Sequence, residues 1–154
     1  MPFPGTRILP HGWSQHHAPA IATAANGTCV VIDPTRSTPG ALDPATGARP
    51  AATPHYVAGT PAAPIRCRIQ ALASAHDTRQ ADQASTERAY LVQLVDADLS
   101  SVPDIEEGHI VRVVAAENDP HLTGVDLTVR DVQHGTERFT RDLVATHNQQ
   151  PERG

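Results

Sequence analysis

Histidines, thiols and close pairs of carboxylates are the groups in this chain that could do chemistry, and the histidines stand out first. Three of the nine fall in HGWSQHHAP (11–19), around the only tryptophan. A structural zinc site takes four nitrogen or sulfur ligands at close spacing, and a catalytic one takes three with a position left open. His11, His16 and His17 have no cysteine or acidic residue beside them to complete either set. On an extended chain the adjacent His16 and His17 point to opposite sides. The helical patterns HExxH and HxxEH are absent. The stretch therefore reads as a partner-docking segment, with Trp13 as its anchor, His16 and His17 as polar contacts and Pro19 at its end; no metal is expected.

Nucleophilic catalysis has no better foothold. There is no GxSxG elbow, no glycine-rich phosphate loop and no CxxC pair. Cys67 falls on the apolar side of an alternating segment, so Cys29 and Cys67 are expected to be reduced and buried. Asp96 with Asp98, Glu106 with Glu107, and Asp131 and Asp142 flank turns or wet strand faces, where solvated charge is their ordinary role. The expectation is a protein with no catalytic residue and no cofactor.

The elements that would carry these residues divide the chain in two. Eleven of the fourteen prolines lie in residues 1–64. Proline fixes φ and removes a backbone donor, so that half cannot be mostly helix or central strand. Its one expected strand is TCVVID (28–33), followed by about thirty residues of turn-forming text. A loop of that length in a compact domain is functional or disordered.

The second half reads as strands. IRCRIQALA (65–73) alternates with a period of two, ERAYLVQLV (87–95) is apolar on both faces, and HIVRVVAAE (109–117), VDLTVRDVQ (125–133) and RFTRDLVAT (138–146) follow. EEG, NDP and HGTE at 106–108, 118–120 and 134–137 are turn signals, the last for a tight hairpin. SAHDTRQADQAST (74–86) is polar all round and reads as an exposed connection with one helical turn.

The fold class expected is mainly β: a small antiparallel β-barrel or curled sheet with an extended N-terminal arm (1–27) and one long Pro/Gly-rich loop (34–64). The barrel domain spans 28–147 and a flexible tail 148–154.

The bulk numbers set limits on partners. All twelve basic residues are arginine, and the formal charge is −5, which argues against a surface that tracks phosphates. No apolar run reaches signal-peptide or membrane-spanning form. A soluble protein made in a cytoplasm is expected.

In their order along the chain, LPHGWSQHHAP (9–19), TCVVIDP (28–34), LDPATG (42–47), IRCRIQAL (65–72), RAYLVQL (88–94) and the segment from Ile105 to Ala145 resemble a family of small proteins from the structural gene modules of tailed actinobacterial phages. That family is similar to the head-to-tail connector, or stopper, proteins of long-tailed phages. Two positions depart from its pattern: His109 after Gly108, where an aspartate is usual, and Val125, where a basic residue is frequent.

The resemblance implies a structural virion protein without enzymatic activity. Such proteins form a homo-oligomeric ring, expected to be a hexamer, at the head–tail junction, assembled in the host cytoplasm. The adaptor and portal rings lie above it, and tail-terminator or tail-tube proteins below. Double-stranded DNA passes through the lumen without specific binding, and no membrane is involved. The loop with Gly40, Asp43, Pro44, Thr46 and Gly47 is then a candidate lumen gate. Alternatives are a tail-terminator or adaptor ring subunit, and a metal- or oligonucleotide-binding barrel module.

Overall fold

The computed structural model describes residues 12–72, 76–80, 83–95, 104–134 and 140–149. One helix, α1 (Trp13–Ala22), precedes eight strands: β1 (Gly27–Thr38), β2 (Thr53–Ala58), β3 (Ile65–Ala71), β4 (His76–Gln80), β5 (Gln83–Leu94), β6 (Ile110–Ala116), β7 (Asp126–Gln133) and β8 (Arg141–Gln149). All pairings are antiparallel, in the order β1-β3-β5-β8-β7-β6, and β6 pairs back onto β1. Six strands thus close a barrel, and closure leaves no open edge in the circuit. The expected small antiparallel barrel is the architecture found.

Alternation explains the core. Cys67 and Ile69 of β3, Tyr90, Val92 and Leu94 of β5, Val111 and Val113 of β6, Leu127 and Val129 of β7, and Leu143 and Ala145 of β8 all face inward and are buried. With few aromatics available, aliphatic side chains fill the barrel, which a six-strand circuit keeps narrow. Gly27 sits where β1 meets both neighbours, pairing with Cys67 and with Ala116. A Cβ there would come within 2.5 Å of the Ala115 carbonyl oxygen, so only glycine lets the strands approach.

Four sequence expectations need correction. The N-terminal arm is not extended between Trp13 and Ala22 but helical. Gly12 opens that helix at φ 79°, and the helix has no acidic first turn or basic last turn, so the usual start and stop signals are missing. The supposed connection 74–86 contains β4 and the start of β5, paired from His76↔Glu87 to Gln80↔Gln83. This hairpin runs beyond the last rung of β3 with β5, Ala71↔Tyr90.

The 34–64 loop is also partly sheet. β1 continues to Thr38 and pairs with β2, with Asp33↔His55 and Thr38↔Thr53 as its outer rungs. Pro34 and Pro54 fall in the irregular stretch between regular rungs or on the edge strand β2, where a missing donor costs little. Finally, β8 runs to Gln149, into the segment expected to be a frayed tail. Most of the HGTE turn, Phe139 and residues 150–154 lie outside the described residues.

Candidate functional site

β1 is buried from Cys29 to Asp33 and exposed at Pro34–Arg36. The change comes where β6 ends beside it: Ile32↔Ile110 is the last rung. Beyond this point β1 and β2 leave the barrel together as a two-stranded arm. On the other side, the segment before β6 folds across the barrel end and sends Ile105 into the core.

A polar cleft of about 620 Å³ opens between these two parts. Asp33 and Arg36 of β1 and His55, Tyr56 and Val57 of β2 line one side. Asp104, Glu106 and His109 line the other.

Asp33 and His109 are its buried centre. The Thr35 hydroxyl (2.6 Å), the Thr35 N–H (2.8 Å) and the Arg36 N–H (3.3 Å) all donate to Asp33 Oδ1. These bonds, the Thr35 hydroxyl foremost, hold the carboxyl below its ordinary pKa against the opposing effect of burial. The Glu106 N–H donates to His109 Nδ1 at 3.2 Å. In the neutral ring the hydrogen is therefore on Nε2, which faces Asp33 Oδ2 at 3.9 Å. That distance is too long for a hydrogen bond, so each atom keeps an open valence toward the cleft.

The turn that presents His109 needs its glycine. Gly108 has φ 90°, its N–H donates to Val129 O, and the His109 N–H donates to Glu106 O. His109 spends one ring nitrogen on the backbone and turns the other to a carboxylate, and among the described residues no Ser, Thr or Cys lines the cleft. The cleft thus sets a carboxylate and an imidazole side by side at the barrel end.

The arm beyond the cleft is ordered by its own hydrogen bonds. The Ser37 hydroxyl donates to Asp33 O and accepts from the His55 N–H. Gly40 packs so close to Pro50 that a Cβ would lie 2.2 Å from the Pro50 carbonyl oxygen. At the tip, Asp43 accepts from the Ala45 N–H and the Thr46 hydroxyl, and the Gly47 N–H donates to Asp43 O. The Thr46 bond leads in holding the Asp43 carboxyl below its ordinary pKa. Gly47 has φ 67°, a left-handed position that the turn requires. Asp43, Pro44, Thr46 and Gly47 thus form one compact turn, with Gly40 on the leg leading to it. Residues 41–53 are exposed throughout.

Of the N-terminal group, Trp13 and His17 come together and His16 does not join them. Their rings stack with centroids 4.5 Å apart, and His17 Nδ1–H donates to Trp13 O at 2.8 Å, the i to i+4 relation of a helix. His16 and Pro19 are exposed. The helix is tied at its far end by Arg66, which donates to Ala22 O. Beyond it the Asn26 side chain exchanges two hydrogen bonds with Ile69. This group leads into β1, whereas the arm leaves β1 at its other end.

Cys29 and Cys67 are free and fully buried, as expected. Their mutual hydrogen bond, then burial, pushes the Cys29 thiol well above its ordinary pKa, which makes it unreactive. Among the described residues no group of three or more His, Cys, Asp or Glu is placed to hold a metal, and no helix is long and apolar enough to cross a membrane.

Sequence reasoning missed Asp33 and His109. The one local signal was a histidine directly after Gly108 at the head of a strand; their meeting depends on barrel closure.

Residues 17–146 match a family of unknown function, DUF6093, and the chain belongs to that family. No curated protein and no solved structure matches it.

Proposed function

We propose that this member of the family is a structural ring subunit of a virion head-to-tail connector, of the stopper kind, with no enzymatic role. The ring lies below the portal and adaptor, seals the filled head and offers a platform to the tail. One observation carries the reading: a closed barrel extends an arm from one end whose outer part, residues 41–53, is exposed throughout. A segment so little buried in its own chain gains its stability of contact on assembly. The order of segments that resembles the connector family supports the same reading.

A ring of this kind uses head-to-tail interfaces that close by rotation. Trp13, stacked on His17 and only half-buried, is the anchor offered by the N-terminal segment, and His16 and Pro19 are exposed on the same helix. Trp13→Ala is expected to weaken assembly by about 2 kcal/mol or more, as measured by sedimentation; unchanged assembly would remove Trp13 from the interface.

The test of the function is electron microscopy of virions labelled with an antibody to this chain. Signal at the vertex where the tail joins the head is the expected result. Label elsewhere, or on no particle, overturns the reading. The tail-terminator alternative puts the label at the tail's upper end as well, and differs in remaining on tails that lack heads. An adaptor, expected to be largely helical, is less well served by a chain with one helix among its described residues.

A further inference from the structure

Two surfaces of this chain are without partners among the described residues and are complementary to each other. The first is the tip of the arm. The Asp43 N–H donates to Ala48 O, so Leu42 and Arg49 flank the tip, one on each leg. Leu42 is 57% exposed, the most exposed large apolar side chain among the described residues. Arg49 is exposed and makes no hydrogen bond or ion pair among them. Asp43, the other charge, spends both oxygens within the turn. The tip therefore presents one apolar group and one uncompensated cation.

The second surface is the cleft. Asp104 and Glu106 stand exposed at its rim without ionic partners among the described residues. Arg36 alone among the lining groups offsets three carboxylates with a permanent positive charge. Tyr56 and Val57 supply an apolar wall, and an arginine also stacks well on a tyrosine face. Deeper in, Asp33 Oδ2 and His109 Nε2, nine-tenths buried, aim their open valences at the same space.

The tip cannot fill the cleft of its own chain. Asp33, Arg36, His55 and Tyr56 are the arm's root as well as the cleft's wall. From Arg36 to Leu42 the ribbon runs outward for roughly 20 Å, fastened at Ser37–His55, Thr38↔Thr53 and Asp43–Ala48.

We propose that the arm of one copy docks in the cleft of a second copy of this chain, Arg49 engaging Asp104 and Glu106 while Leu42 lies against Tyr56 and Val57. The inference rests on the ring reading above and says which surfaces make the ring. Every copy gives one arm and receives one, a heterologous contact that closes when the rotation closes. Arm and cleft lie at the same barrel end, so copies rotated about an axis along their barrels keep the two level. The arm then clasps a neighbour and does not gate the lumen. Because rim charges make the contact, it weakens with added salt.

The test uses the purified full chain. An Arg49→Cys preparation mixed with a Glu106→Cys preparation under mild oxidation is expected to give covalent dimers holding one of each, since Cys29 and Cys67 are buried. Arg49→Glu is expected to weaken self-association by about tenfold or more, and adding Asp104→Arg and Glu106→Arg to that variant restores it. Three results overturn the contact: a wild-type chain that stays monomeric at the highest concentration, an Arg49→Glu variant that associates like wild type, or a mixture that yields no mixed dimer. If rings decorate the head–tail joint while the charge swap has no effect, only the contact fails. If the contact stands and no particle carries the label, the connector reading fails alone.

Discussion

The barrel wall and the arm share a strand and little else. Along β1, five successive residues from Cys29 to Asp33 are buried, and the next three are exposed. In the wall, backbone pairing is backed by an aliphatic interior, so each rung is reinforced by apolar burial. In the arm, pairing is backed only by local turn chemistry: Ser37 bridging two backbones, Asp43 caught by Thr46, Gly47 in a left-handed conformation. Order and stability are thus separable here. The wall supplies the free energy of folding, and the arm is held in shape for a contact elsewhere.

The contrast can be broken most forcefully from the wall side. Leu127→Ala empties a fully buried position in β7 and is expected to destabilise by about 2–5 kcal/mol, read from urea or guanidinium unfolding. A loss below 1 kcal/mol would mean that the barrel interior is not the source of stability. Gly27→Ala comes next, because its new methyl meets the Ala115 carbonyl at 2.5 Å. About 1–3 kcal/mol is expected from that overpacking, as a shift in the same unfolding midpoint; a neutral result would show that β1 and β6 separate freely there.

At the seam between wall and arm, Asp33 sets a pH signature. Its carboxyl is held below the ordinary value in the folded state. Its stabilising contribution is therefore full above the unfolded-state pKa of about 3.9 and is lost as pH falls through the depressed folded value. Asp33→Asn is expected to flatten the acid limb of a stability–pH curve below about pH 4. An unchanged acid limb would assign it to other carboxylates.

The smallest expected effect is the most telling. Replacing 41–49 with a two-residue turn should leave the unfolding midpoint within about 0.5 kcal/mol of wild type while abolishing self-association. A wider deletion, 38–60, would remove Ala58, Tyr56 and Val57 of β2 and damage the core with the arm, because Ala58 is buried beside Val31. Marked destabilisation by the short deletion would make the arm part of the fold.

The same division decides what could be read from residues alone. β3, β6 and β7 bury one face, so their residues alternate and were legible, and the second half of β5 was legible as an apolar run. Among their described residues the helix Trp13–Ala22 and β2 bury little of their length, and nothing forced a pattern on them. In the arm, the segment around Gly47 was legible as turn-forming because a left-handed glycine is a local device. Asp33 and His109 were not, since their meeting requires β1 and β6, about eighty residues apart, to close the barrel.

β1 also carries a consequence for how the chain folds as it is made. Gly27 finds its first barrel neighbour, Cys67, forty residues later, but its second, Ala116, only after a further forty-nine. β8 must then slip between β5 and β7 before the circuit is complete. Contacts this distant in sequence make closure slow. Until they form, a nascent chain holds the apolar edge of Val30, Val31 and Ile32 open to other chains. A ribosome stalled before residue 116 would release a sticky strand, so the cell's risk with this protein is concentrated in unfinished copies.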